Sequence, residues 1–166
     1  MALIAVMGLT SSLTLISCSD DNTVTTTDTR HWTTDGGLKA ADNLLFNDNQ
    51  IGNGDKEFVF TGKQTLKKGT YLLKGWVYVA DGAELTIEPG TIIKGDKQTM
   101  ATIIVERGGK LIAQGTKDAP IVFTSNAPKG QRRPGDWGGL ILCGKAPHNA
   151  GQAQIEGGPR TKHGGN

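Results

Sequence analysis

Two guanidinium groups, a carboxylate and an indole crowd into Arg132-Arg133-Pro134-Gly135-Asp136-Trp137. Guanidinium groups grip oxyanions, a carboxylate can hold a cation or a proton, and an indole offers a flat stacking surface. Arg132, Arg133, Asp136 and Trp137 are therefore the candidate ligand-binding residues. The same side chains also suit a structural corner that buries Trp137 and pairs Asp136 with an arginine. The corner is the favoured reading, because reactive residue types in one turn do not by themselves make a site.

The other arrangements fall short of chemistry. Cleaving a glycosidic bond takes two carboxyl groups about 5–9.5 Å apart. The available acids are Asp81, Glu84, Glu88, Glu106, Asp118 and Asp136. Glu84 and Glu88 share a strand face, but four extended residues separate them by about 13 Å, so they make no catalytic pair alone. Gly139 to Ala146, "GLILCGKA", matches most of a phosphate-binding loop. Ala146 stands where a magnesium-ligating hydroxyl is required, and apolar strand formers fill the loop, so that reading is rejected. His31, His148 and His163 lack ligand-like spacing with other donors, so no metal site is expected. No catalytic residue and no cofactor is assigned.

Two cysteines remain. Cys143, flanked by Leu140, Ile141 and Leu142, reads as a small packed core residue rather than a nucleophile. Cys18 closes a different kind of segment. Residues 1–17 are apolar or small throughout, too short to be a convincing membrane span, and have the length of a signal-peptide core. They end in Leu15-Ile16-Ser17-Cys18, which resembles a bacterial lipobox. That resemblance implies acylation of the Cys18 sulfur and cleavage before it. The pattern departs from the usual one in lacking early basic residues, because no Lys or Arg precedes Arg30; Met1 is then expected not to be the true start. Asp20 and Asp21 after the cysteine resemble the export signal of Bacteroidota-type surface lipoproteins. Residues 18–56 continue Thr- and Asp-rich and read as a flexible tether.

The bulk numbers fit a thin β structure. Of 166 residues, 24 are Gly and aromatics reach only 5%, which suits turns and short strands better than a thick helical core. The formal net charge is +2 with no dense basic run, so no nucleic-acid partner is expected. From Glu57 onward, apolar runs of three to six residues alternate with Gly, Pro, Asp or Lys, a strand signal. In "AELTIE", Leu85 and Ile87 face one way and Glu84, Thr86 and Glu88 the other. No window carries helical spacing.

"VADGAELTIEPGTIIKG" is followed by "VERGGKLIAQGT", with Gly82 matched by Gly108, Ala83 by Gly109 and Leu85 by Leu111. A self-similar unit of this length, made of short strands and turns, predicts a solenoid. Val79 and Leu85 of one coil should then sit on Val105 and Leu111 of the next. A small β-sandwich or jelly roll is the alternative.

"GWVYVADGAELTIEPGTIIKG", "GGKLIAQGTKDAPIVFTS" and "PGDWGGLILCGKAPHN" resemble the opening coils of right-handed parallel β-helix lipoproteins of Bacteroidota and related bacteria. The resemblance spans roughly residues 70–149. It implies an all-β chain in which a cap and the first two to three coils occupy residues 57–166, with further coils expected beyond. It also implies an outer-membrane, cell-surface location through the lipid, and a role in binding or structural presentation. The partner would be a glycan, a matrix polymer or a surface protein, with Trp76, Tyr78 and Trp137 as stacking platforms for sugar rings. Because parallel β-helices are often polysaccharide lyases or hydrolases, such an enzyme is the alternative function.

Overall fold

The computed structural model describes residues 39–149, 151, 153–155 and 162–164. The signal segment, Cys18 and most of the expected tether lie outside these residues. The described elements are all strands: β1 (Lys39–Ala41), β2 (Leu45–Asn47), β3 (Gln50–Ile51), β4 (Phe58–Phe60), β5 (Lys63–Leu66), β6 (Thr70–Leu73), β7 (Trp76–Val79), β8 (Glu84–Ile87), β9 (Ile92–Gly95), β10 (Thr102–Val105), β11 (Lys110–Ala113), β12 (Val122–Ser125), β13 (Gly139–Leu142), β14 (Ala153–Gln154) and β15 (Lys162–His163).

These strands stack into three walls. The first runs β1-β4-β7-β10-β13, the second β5-β8-β11, and the third β2-β3-β6-β9-β12. Every neighbouring pair within them is parallel except β2 with β3. The chain visits the walls in turn, so consecutive strands along the sequence belong to different walls and each strand pairs one coil away. That is a parallel β-helix. The expected stacking is realised: Val105 pairs with Val79 and Leu111 with Leu85. β4–β6, β7–β9 and β10–β12 make three coils, and β13 begins a fourth. β14 and β15 form a separate antiparallel pair.

The repeat has a physical reason. A strand of four residues cannot satisfy its own backbone polar groups, so each coil borrows the N–H and C=O row of its neighbour. In the second wall, Glu84 and Thr86 are half-exposed while Leu85 and Ile87 are buried, as the alternation predicts. The first wall differs. Val77, Tyr78 and Val79 are all buried in β7, as are all four residues of β10. Side chains alternate sides along a strand, so both faces of this wall are covered, which explains the unbroken apolar runs "WVYVA" and "ATIIV". Ile103 sits between Val77 and Leu140 in one apolar column.

The folded part begins earlier than expected. Residues 39–51, assigned from sequence to the tether, carry β1–β3. β1 pairs with β4 and β3 with β6, while Leu44 and Ile51 are fully buried. The Leu44 amide donates to Gln64 Oε1 at 2.7 Å. Gln64 pairs in register with Leu85, whose side chain is buried, so its carbonyl satisfies the backbone of the segment over the first coil.

Candidate functional site

The segment from β12 to β13 is a corner of the solenoid, and Asp136 is its centre. This carboxylate is only 3% exposed. Its Oδ2 accepts from the Ser125 hydroxyl at 2.9 Å and from the Arg133 backbone N–H at 2.9 Å, and Oδ1 lies 3.3 Å from Lys97 Nζ. Asp136 thus ties the end of β12, the loop before β10 and the approach to β13 together. The expected partner was an arginine guanidinium. The structure instead supplies the Arg133 amide and a lysine from the preceding coil, because stacking brings Lys97 to the corner while the Arg133 side chain turns away to the Arg132 carbonyl at 3.3 Å.

Those interactions hold Asp136 below the ordinary carboxylate range. The Arg133 N–H contributes most, then the Ser125 hydroxyl, with Lys97 adding to them against the opposing effect of burial. A folded-state pKa below the unfolded value, about 3.9, gives stability that is present above that value and lost as pH falls through the folded pKa. Urea unfolding between neutral pH and pH below 4 should therefore show Asp136→Asn losing less stability on acidification than the parent chain. An equal acid response in both would disprove the role.

Trp137 packs over Gly95, where an added Cβ would meet the indole at 2.7 Å. It is half-buried against the core. Gly138 continues the corner with its amide on the Ala101 carbonyl at 2.8 Å. Arg132 lies outside: Nε donates to the Ala127 carbonyl at 3.1 Å and Nη1 to Thr124 Oγ1 at 3.3 Å. The structure so brings Asp136 and Trp137 inward as corner pieces and leaves both arginines exposed.

The other aromatic candidates are not exposed platforms. Tyr78 is buried inside the two-sided first wall. Trp76 is half-buried, its indole N–H donates to the Met100 carbonyl at 3.1 Å, and Lys56 Nζ lies 5.5 Å from its ring centre. Sequence alternation alone would place Tyr78 outside, since it cannot show that the outer side of that wall is covered.

The acids are engaged by lysines of neighbouring coils. Glu88 accepts from Lys67 Nζ at 2.8 Å and from the Lys68 amide at 2.9 Å, which lowers its pKa, the Lys67 hydrogen bond first. Glu84 lies 4.0 Å from Lys110, and Asp81 lies 3.8 Å from Lys145. Asp118 is exposed in the loop before β12. Glu106 is buried beside Cys143. Burial, with Glu106 second, pushes the Cys143 thiol up, so little thiolate forms at neutral pH. Gly139–Leu142 of the loop-like "GLILCGKA" are strand β13. Among the described residues no group of His, Cys, Asp and Glu is placed to hold a metal ion; His31 and the His163 side chain lie outside the described part. His148 is exposed next to Gly164.

Comparison with curated proteins and with solved structures gave no match. The family model described as the pectate-lyase-like β-helix domain matches residues 59–166, which takes in β5 to β15 and nearly all of β4. With most of the chain covered, and three parallel walls in coil-on-coil register beneath the match, this protein belongs to the pectate-lyase-like β-helix family.

Proposed function

We propose that this chain is a lipid-anchored surface protein of the Bacteroidota type whose β-helix binds or presents a partner at the cell exterior. The partner is a glycan, a matrix polymer or a surface protein. One observation carries the reading: the parallel walls stack side chains of successive coils in strict register, which gives flat lateral faces that lengthen with each coil. Such faces suit an extended ligand. The anchor rests on the lipobox-like Leu15-Ile16-Ser17-Cys18 and on Asp20 and Asp21 behind it. Cys18 would carry the lipid (palmitate among its acyl chains) and place the protein on the outer membrane.

A second reading, a polysaccharide lyase or glycoside hydrolase, is favoured by the family match. Metabolic labelling with a fatty acid should mark the parent chain, and Cys18→Ser should abolish the label; retained label would refute the anchor. Full-length protein incubated with polygalacturonate and neutral plant glycans separates the two functions. Retention without new reducing ends or unsaturated product is the expected result, and turnover of either kind would establish the enzyme.

A further inference from the structure

The lysines on most of this molecule are matched by acids from neighbouring coils. Lys67 meets Glu88, Lys110 approaches Glu84, Lys145 faces Asp81 and Lys97 meets Asp136. The outer face of the third wall breaks the pattern. Lys94 in β9 points outward between buried Ile93 and Gly95, and its register partner on the next coil is Thr124. The Arg132 guanidinium is fixed onto that same threonine. Register therefore stacks one cation on another, about 4.8 Å apart along the axis, and like charges placed opposite each other are destabilising. Neither meets a carboxylate among the described residues. Lys129 and Arg133, exposed on the adjoining loop, add to the same positive field. Beside this pair runs a flat apolar column, Ile92 stacked on Val122, the latter 37% exposed.

We propose that the outer face of the third wall docks a sulfated polysaccharide, with Lys94, Arg132 and Thr124 as the sulfate contact. The inference rests on the reading of this chain as a binding solenoid and names its ligand. Donor geometry selects the anion. Arg132 Nε is already spent on the Ala127 carbonyl, which blocks the side-on fork that grips a planar carboxylate best. What remains is an Nη2 donor, the Lys94 ammonium, and the Thr124 hydroxyl, which accepts from Arg132 and keeps its own hydrogen to donate. Three donors converge from different directions on one spot. A sulfate ester offers three terminal oxygens to meet them, where a carboxylate offers two. The Ile92 and Val122 column gives the apolar side of a sugar ring somewhere to lie.

The test uses the full-length protein in detergent, with dextran sulfate, uncharged dextran, polygalacturonate and single-stranded DNA as immobilised probes. Dextran sulfate should be retained and uncharged dextran not. The double variant Lys94→Gln with Arg132→Gln should bind dextran sulfate about tenfold more weakly, the loss expected for two charge-assisted contacts. Lys67→Gln with Lys110→Gln removes the same charge from the second wall and its edge and should leave binding unchanged. Thermal melts report whether each variant is folded. Should Arg132→Gln unfold the corner, Lys94→Gln alone, about threefold weaker, decides the matter. Equal weakening by both doubles, no retention of dextran sulfate, or equal retention of polygalacturonate or DNA would overturn the assignment. If the chain holds another glycan with an affinity that Lys94→Gln with Arg132→Gln leaves untouched, this assignment fails while the binding solenoid stands.

Discussion

Ile103→Ala should lower the unfolding free energy by about 2–5 kcal/mol, the range for truncating a fully buried aliphatic side chain. Ile103 is fully buried and stacked between Val77 and Leu140. The loss has two parts: apolar surface no longer withdrawn from water, and a void between two coils that the rigid ladder on each side cannot close. Leu140→Ala in the same column should cost clearly less, because Leu140 is 37% exposed on the last described coil. Urea midpoints for the two variants check the claim. A Leu140→Ala loss equal to that of Ile103→Ala would mean that the column is not the source of cohesion. The contrast tests the solenoid itself, since a sandwich core would have no such gradient along one column.

Gly75→Ala should be the most damaging glycine substitution on the first wall. Gly75 has φ +72°, and an added Cβ there would collide with the Asp55 carbonyl oxygen and crowd Gly54. That oxygen cannot simply retreat, because it accepts the Trp76 amide at 2.9 Å. The left-handed conformation alone costs a non-glycine residue about 1–3 kcal/mol, and the overlap adds to it. Gly54→Ala is the control. Its φ is +94°, yet nothing lies within 4 Å of the added atom, so only the conformational part is lost. Calorimetric melting of the two variants should rank Gly75→Ala well below Gly54→Ala; equal melting points would show that the contact with Asp55 is not rigid.

The coil-to-coil pairing was legible because it is written twice in the sequence. Val79 on Val105 and Leu85 on Leu111 follow from aligning two similar phrases, and the structure pairs those residues. The alternation of "ELTI" was legible for the same reason that β8 buries Leu85 and Ile87: a period of two has one meaning on a half-covered sheet. What escaped was set by distant partners. β1, β2 and β3 are two or three residues long and lie among Asn, Asp and Ala. They are strands only because β4, β6 and Gln64 receive them. At the corner, "GDWGG" announced a constellation, and the structure shows how Asp136 and Trp137 are held there. The lysine that meets Asp136, and the glycine beneath Trp137, come from the coil before, a proximity no local spacing records. The unmatched Lys94 was equally invisible, since its loneliness depends on which residues the register sets beside it.

The connections between the third and first walls grow along the chain, from residues 74–75, to 96–101, to 126–138. The strands they join remain four residues long and in unbroken register. Length variation is thereby shunted to one seam of the molecule, like slack let out along a single hem. Kin of this protein can drift by a dozen residues there and still superimpose strand for strand, while the same insertion within a wall would throw every later residue onto the wrong side of its sheet.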